Sequence, residues 1–365
     1  MAKTTHLRWL WIAAATVIGS GCDPELGAPI EVAPQDLERW VWVPVPEMRC
    51  SDNSPAGLVV NFTAQSRDLV IFFQGGGACW NAPLCALQRE HLVPMGPNPL
   101  ATFFADPEHA QSGIFDRADA SNPWRRSNFV FVPYCTGDGH IGNKVANYGG
   151  DVGTIHHVGY ANVTAAIKRI VPTFRDAPNI LVAGFSAGGI GASGNYHQIA
   201  SAFESVRTGP IMLVNDAGPS MRMPYLSEAS QRTLADAWGS DQTIGSWCPE
   251  CMTEGSHYQD RKQAELHPGM RSAHICAYDD FMVRVMYQAL LTPIEGGLAK
   301  QGLLDLANWR TSIASNVAPS VLREFYYPGA RHGAIETIPL SLTPGLAEFL
   351  TAQKDGSPNW TSVRP

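Results

Sequence analysis

The chain contains a series of short hydrophobic runs bounded by glycine, proline, asparagine and aspartate. Runs of this length that are apolar at nearly every position are typical of parallel strands buried on both faces. They lie at residues 69–73, 128–132, 180–183, 211–214 and 324–327, with a further run around Ile275. Two earlier runs, at 40–43 and 57–62, predict an antiparallel pair that opens the sheet.

The segments between these runs are long enough to hold helices. Residues 162–171 form one such segment, and the residues that share a helical face in it are Val163, Ile167, Ile170 and Val171. Strands that alternate with helix-length connections favour an α/β fold with a doubly wound, mostly parallel sheet. Residues 220–269 show no clear strand pattern, and we expect this insertion to form a cap or lid.

The run at 180–183 leads into Gly184-Phe-Ser-Ala-Gly188, which has the pattern G-x-S-x-G. Between a buried strand and a helix, this pattern is typical of the sharp turn that carries the nucleophile of α/β-hydrolases. Glycine at positions 184 and 188 avoids side-chain collisions across such a turn. We therefore predict Ser186 as a nucleophile and the Ala187 N–H as an oxyanion donor. An incidental serine in a glycine-rich turn is the alternative.

A nucleophilic serine needs a histidine base and an acid that orients it, and in α/β-hydrolases these follow in the order serine, acid, histidine. His332 follows the last predicted strand and fits the base, whereas His140 precedes Ser186 and fits the order badly. For the acid we favour Asp279, which follows the penultimate strand. Asp216 and Asp280 are the alternatives, although we expect Asp280, the neighbour of Asp279, to point elsewhere. Each of the three could instead cap a helix.

Gly75-Gly76-Gly77 follows an early strand and precedes the predicted nucleophile. Glycine loops at this point supply backbone N–H groups to an oxyanion, because a backbone without side chains can approach the reacting oxygen closely. We predict that the N–H groups of Gly76 and Gly77 act together with that of Ala187. The loop is not followed by the Lys-Ser/Thr that a phosphate-binding loop requires.

The composition narrows the possible partners. Charged residues make up 16% of the 365 residues and the net charge is −7, without a basic cluster, so nucleic-acid binding is not expected. A single C-x-x-C, at Cys248 and Cys251, is a weak zinc signal. We expect neither a metal nor an organic cofactor.

Residues 1–22 have the pattern of an export signal. Lys3 and Arg8 precede an apolar run that is too short to span a bilayer, and small residues then lead to Cys22. This resembles a bacterial lipoprotein signal, so we predict that Cys22 carries a lipid, with ordinary secretion as the alternative. Residues 23–39 are predicted as a linker and residues 40–365 as the catalytic domain. Membrane contact is expected only through the lipid.

Export makes the remaining seven cysteines candidates for disulfides. Cys79 and Cys85 bracket a short loop, as do Cys248 and Cys251. Because seven is odd, one thiol stays free, and Cys276, within a predicted strand, is the best candidate for a buried one.

Together these features resemble the pectin acetylesterase/Notum family of α/β-hydrolase carboxylesterases, over about residues 40–349. Seven motifs in chain order carry the resemblance: RCSDNSPAG (49–57), QGGGACWN (74–81), PYCTGD (133–138), GFSAGG (184–189), NDAG (215–218), AYD (277–279) and HG (332–333). The resemblance implies a catalytic triad of Ser186, Asp279 and His332. It also implies three disulfides, Cys79–Cys85, Cys50–Cys135 and Cys248–Cys251, which leave Cys276 free.

The chain departs from the family pattern at Ala78, where a Trp or Tyr is common, and this difference affects the acyl pocket. We expect hydrolysis of O-acetyl groups on an extracellular polysaccharide through an acyl-serine intermediate. The alternatives are a hydrolase of longer acyl chains or polyesters, as in a Notum-like deacylase, and a catalytically inactive sugar-binding lipoprotein. A peptidase is less favoured, because amides have poor leaving groups.

Overall fold

The computed structural model describes residues 26–91, 111–287, 298–317 and 319–364. The predicted export signal and Cys22 lie outside these residues. Within them, no helix is long and apolar enough to cross a membrane.

An eight-stranded sheet forms the centre of the protein. Its strands are β1 (Val41–Arg49), β2 (Pro55–Asn61), β3 (Leu69–Phe73), β4 (Asn128–Val132), β7 (Ile180–Phe185), β8 (Ile211–Asp216), β9 (Arg271–Ala277) and β10 (Val321–Tyr327). They lie in the order β1-β2-β4-β3-β7-β8-β9-β10. From β4 to β10 neighbouring strands are parallel, whereas β2 pairs antiparallel with both β1 and β4. A separate antiparallel hairpin consists of β5 (Lys144–Asn147) and β6 (Thr154–His157).

Helices cover both faces of the sheet. The described helices are α1 (Ala82–His91), α2 (Gly159–Thr173), α3 (Ala187–Glu204), α4 (Glu228–Trp238), α5 (Ile244–Trp247), α6 (Glu250–Thr253), α7 (Gln259–Leu266), α8 (Phe281–Val285), α9 (Leu298–Asn316) and α10 (Leu346–Asp355). All five residues of β3 are buried: Ile71 and Phe73 pack in one core with α2 and α3, whereas Phe72 packs in a second core with α10. Burial on both faces explains why the central strands are apolar at every position.

The fold is the predicted one, an α/β-hydrolase-like sheet that is doubly wound and mostly parallel. Because β3, β7, β8, β9 and β10 are parallel, their carboxyl ends meet at one edge, where ligands bind in open α/β sheets. The predicted nucleophile turn, glycine loop and histidine loop all follow strands at this edge. Residues 220–269 contain α4 to α7 and no strand. Their role as a cap or lid stays a prediction.

The structure contains the three disulfides that the resemblance implies. The sulfur atoms of Cys50 and Cys135 are 2.08 Å apart, and the other bonds join Cys79 to Cys85 and Cys248 to Cys251. Among the described residues Cys276 is a free cysteine, buried in β9. Such bonds persist in oxidising compartments outside the cytoplasm, so they fit an exported protein.

Candidate active site

Ser186 lies on a sharp turn between β7 and α3. Its backbone dihedral angles, φ 57° and ψ −122°, are unusual for a residue with a side chain and indicate a strained turn. A Cβ atom at Gly184 would collide with the carbonyl oxygen of Gly188, and one at Gly188 would collide with that of Phe73. The two glycines of the motif are therefore required by the close approach of β3, β7 and α3.

The imidazole of His332 connects Ser186 to an aspartate. Its Nε2 lies 2.9 Å from Ser186 Oγ, and its Nδ1 lies 2.9 Å from both carboxylate oxygens of Asp280. A carboxylate only accepts hydrogen bonds, so the contact with Asp280 favours the tautomer with the proton on Nδ1. Nε2 is then free to accept the Ser186 hydroxyl proton. This arrangement is that of a serine, histidine and aspartate triad.

The structure corrects the predicted acid partner: Asp280, and not Asp279, contacts His332. Asp279 is exposed, and its N–H donates to the carbonyl of Gly329. Asp280 is 1% exposed, because it is the N-cap residue of α8 and turns its carboxylate inward, where Oδ1 also accepts the N–H of Val283. The expectation that Asp280 points elsewhere is therefore wrong.

Asp216, the other alternative, lies beside this group but makes different contacts. One of its carboxylate oxygens accepts the N–H groups of Ala334 and Ile335, which follow His332 in the chain. The side chain is completely buried, and burial raises its pKa to about 6, against the effect of those two hydrogen bonds.

The glycine loop after β3 lies against the nucleophile turn. A Cβ atom at Gly75 would be 3.2 Å from the Cβ of Ser186, so the backbone comes very close to the serine. Gly76 and Gly77 have φ values of 151° and 76°, which favour glycine. The loop thus lies in contact with the turn that carries Ser186, and the role of Gly76, Gly77 and Ala187 as oxyanion donors stays a prediction.

His140 contacts this glycine loop. In the sequence it fits the position of the catalytic base badly, because it precedes Ser186. Its Nε2 lies 2.9 Å from the carbonyl oxygen of Gln74, and burial lowers the pKa of the ring to about 4. A neutral ring that donates from Nε2 fits this contact. Asp138 accepts the N–H of His140, so the PYCTGD motif orders the residues behind the loop. In the sequence, the PYCTGD motif is the feature that indicates this contact between His140 and the glycine loop.

A cavity of about 730 Å³ opens beside Ser186, between the sheet edge and the segment 220–269. Most of the described residues that line it are apolar, among them Trp80, Ile141, Ile190, Leu234, Trp238 and Met252. Trp238 Nε1 donates to the carbonyl oxygen of Cys79, which ties α4 to the end of the glycine loop. The cavity therefore has room for an aliphatic group next to the serine.

Among the described residues, one group has the spacing of metal ligands: Cys79, Cys85 and His157. Two of its members are joined in a disulfide, so their sulfur atoms are not available as thiolates. The C-x-x-C cysteines, Cys248 and Cys251, are likewise bonded to each other.

Similarity to known proteins identifies the family of this chain. A family model described as pectinacetylesterase matches residues 43–260, more than half of the chain. The chain belongs to the pectinacetylesterase family.

Several curated relatives of this pectinacetylesterase-family chain are carboxylesterases. Palmitoleoyl-protein carboxylesterase notum2 of Xenopus laevis is 27% identical over 157 residues, which are 42% of this chain and 31% of that protein. The inactive palmitoleoyl-protein carboxylesterase notum1b of Danio rerio is 30% identical over 90 residues, covering 24% of this chain and 62% of that protein. The chain thus matches about a third of the length of notum2.

A solved structure shows the same fold. The Wnt deacylase Notum from Drosophila superimposes with a TM-score of 0.63 over 89% of this chain and 95% of that chain, at 17% sequence identity. At this identity the likeness establishes the fold of the pectinacetylesterase-family chain, and the choice of substrate needs other evidence.

Proposed function

We propose that the protein is a serine carboxylesterase in which Ser186, His332 and Asp280 form the catalytic triad. The observation that supports this most strongly is the pair of contacts of His332, 2.9 Å to Ser186 Oγ and 2.9 Å to Asp280. These contacts join the nucleophile to its base and the base to its acid, as acyl transfer to serine requires.

The reaction proceeds in two steps. In the first, His332 Nε2 takes the proton of Ser186 as Oγ bonds to the ester carbonyl carbon, and the oxyanion accepts N–H groups of Gly76, Gly77 and Ala187. The carbon–oxygen bond to the alcohol then breaks, and the alcohol leaves with the proton from His332. In the second step His332 deprotonates a water, which attacks the acyl-serine, and Ser186 recovers its proton as the carboxylic acid departs.

The cavity favours an acyl group longer than acetyl. An acetyl group offers one methyl to a cavity of about 730 Å³ with mostly apolar walls, whereas each buried methylene of a longer chain adds about 0.8 kcal/mol. The name of the relative notum2, a palmitoleoyl-protein carboxylesterase, agrees with a long aliphatic chain. We therefore propose an O-acyl ester with an aliphatic chain as the substrate class.

Removal of O-acetyl groups from a polysaccharide is the second candidate. It is favoured by the family match, whose description is pectinacetylesterase. A series of p-nitrophenyl esters from acetyl to palmitoyl separates the two. Burial of successive methylenes predicts that kcat/KM rises about fourfold for each one until the cavity is filled. A maximum at acetyl, with a fall at butyryl and beyond, contradicts the long-chain proposal and favours the acetylesterase.

A catalytically inactive binding protein is the remaining alternative, and the existence of the inactive relative notum1b makes it worth testing. A fluorophosphonate probe reacts with a serine only where a base activates it. Rapid labelling of the purified protein at Ser186 supports the esterase. A protein that is not labelled at any probe concentration contradicts it.

We also propose that the protein is exported and anchored through a lipid on Cys22, as the pattern of residues 1–22 predicts. The three disulfides support export to an oxidising compartment. In bacterial expression, the full chain is expected in the membrane fraction and C22A in the soluble fraction. Equal distribution of the two contradicts the lipid anchor.

A further inference from the structure

Asp216 contacts both the turn that carries Ser186 and the loop that carries His332. We propose that it is a positioning residue, which sets the separation of nucleophile and base through hydrogen bonds to the backbone of Ser186 and to the backbone of the residues that follow His332. This inference deepens the proposed function and rests on it, because it concerns the geometry of the same triad.

The first contact is made by the backbone of Asp216. Its carbonyl oxygen accepts the N–H of Ser186 at 2.7 Å, where β8 runs beside β7. The next residue, Ala217, has a φ of 57° and donates its N–H to the carbonyl of Ile275 in β9. The nucleophile turn is thereby held to the ends of two neighbouring strands.

The second contact is made by the side chain. The Oδ2 atom of Asp216 accepts the N–H groups of Ala334 and Ile335 at 2.7 and 2.9 Å. Both residues are buried, so these N–H groups have no access to solvent as a substitute. Because Ala334 is two residues beyond His332, these hydrogen bonds fix the loop that presents the imidazole to Ser186.

The two contacts together connect the turn that carries Ser186 to the loop that carries His332 through one residue, Asp216. Ser186 is held by the main chain of Asp216, and the buried N–H groups that follow His332 are held by its side chain, so this one residue connects the nucleophile turn to the His332 loop. Asp280 orients the ring of His332 within this frame, but it does not hold the loop backbone. The hydroxyl of Tyr327 also holds this loop, by donating to the carbonyl of Gly333. It does not connect the loop to the nucleophile turn, so we expect the loop to shift relative to Ser186 when the side chain of Asp216 is lost.

The chemistry of the contact distinguishes a positioning role from an acid role. The side chain uses Oδ2 alone, while Oδ1 is buried with no hydrogen-bond partner among the described residues. An asparagine can place its amide oxygen where Oδ2 lies and accept the same two N–H groups. A residue that acts as the triad acid needs its negative charge instead, and loses ~10⁴-fold in kcat when it is replaced by asparagine.

The test compares D216N, D216A and D216L, with D280N as the variant that lacks the acid. D119A is the matched control, because Asp119 accepts a backbone N–H, that of Ser121, in a loop outside the triad. Steady-state kinetics on one p-nitrophenyl ester give kcat and KM for each. D216A and D216L are expected to lose ~10²-fold or more in kcat, since a misplacement of about 1 Å has this effect. Their KM stays within about threefold, because the walls of the cavity are unchanged.

D216N is expected to keep kcat within about tenfold of the parent enzyme, and this rescue by a neutral acceptor supports positioning. If D216N loses as much activity as D280N, the charge of Asp216 is needed and the proposal is overturned. If D216A keeps its kcat, the hydrogen bonds are not needed and the proposal is overturned as well. If D216A and D216L do not fold, the kcat of D216N alone decides the test.

Failure of the proposed function gives a different result from failure of this inference. If Ser186 is not the nucleophile, S186A keeps its activity.

Discussion

Asp280 lies against His332 with both carboxylate oxygens 2.9 Å from the imidazole Nδ1, and its Oδ1 also accepts the N–H of Val283 at the start of α8. One carboxylate therefore caps a helix and orients the base. This double role fixes the rotamer of Asp280, so that the ring of His332 has a defined partner before substrate binds.

This relationship predicts that the two adjacent aspartates differ sharply in their effect on activity. D280N is expected to lower kcat by ~10³ to 10⁴-fold, because the neutral amide does not stabilise the imidazolium or hold its tautomer. D279N, at an exposed position, is expected to stay within about threefold of the parent. Steady-state kinetics on an aryl ester measure both.

Asparagine is also a good N-cap residue, so D280N is expected to fold normally. Circular dichroism and thermal unfolding of the two variants serve as the control. A severe loss in D279N with normal activity in D280N would reverse the assignment.

The apolar cavity predicts that one substitution in α4 changes chain-length preference. Leu234 lines the cavity, and L234W fills part of it from the side of α4. We expect kcat/KM for a dodecanoyl ester to fall at least tenfold, because several methylenes lose their burial, each of which contributes about 0.8 kcal/mol. The value for the acetyl ester is expected to change less than threefold.

The neighbouring residue Thr233 is exposed on the same helix, so T233W is the matched control and is expected to change neither value. An equal loss on both esters in L234W would mean that the acyl chain does not occupy this part of the cavity.

Burial of Asp216 predicts a dependence of stability on pH. Burial raises its pKa from 3.8 to about 6, so the folded protein binds this proton more tightly than the unfolded chain does. The protonated carboxyl contributes its whole stabilisation at pH values below the pKa of the unfolded chain. This contribution is lost as the pH rises through about 6, the pKa in the folded protein. D216N does not titrate there. Its free energy of unfolding relative to the parent is therefore expected to rise by on the order of 3 kcal/mol between about pH 4 and pH 7.5.

Urea unfolding of D216N and the parent at the two pH values measures this difference. His332 lowers the pKa of Asp216 and Asp280 raises it, and burial together with the charge of Asp216 raises the pKa of Glu336. A difference in unfolding free energy that is the same at both pH values would show that Asp216 carries no raised pKa.

The disulfides are expected to contribute unequally to stability. Cys50 and Cys135 are 85 residues apart, whereas Cys248 and Cys251 are 3 apart. In the chain-entropy treatment, closing the longer loop stabilises by about 4.5 kcal/mol and closing the shorter one by about 1.5 kcal/mol. Urea unfolding of C50A/C135A and C248A/C251A under oxidising conditions tests this. A larger loss in the second variant contradicts the expectation.

The central strands could be predicted from the sequence because burial on both faces leaves a continuous apolar run. β3 and β4 have the predicted bounds, and β7 extends the predicted run by two residues. The hairpin of β5 and β6 was missed, since β5 is largely exposed and has no such run. The carboxyl end of β1 was also missed, because it contains prolines and a glutamate, which do not resemble a buried strand.

The positions of Ser186 and His332 could be predicted because each follows a recognisable strand. The choice between Asp279 and Asp280 could not, since both follow β9 and only the backbone of the turn decides which side chain points inward. The backbone angles of Asp280, φ −43° and ψ 118°, start a helix and turn its carboxylate toward His332. The contact of His140 with the glycine loop depends in the same way on the path of a loop between distant strands.

The central claim is that Ser186 is the nucleophile of an esterase, and the kcat of S186A on a p-nitrophenyl ester tests it most directly. We predict a loss of at least ~10³-fold with normal folding, because the members of a triad act as a unit. Turnover by S186A at the rate of the parent enzyme would contradict the claim.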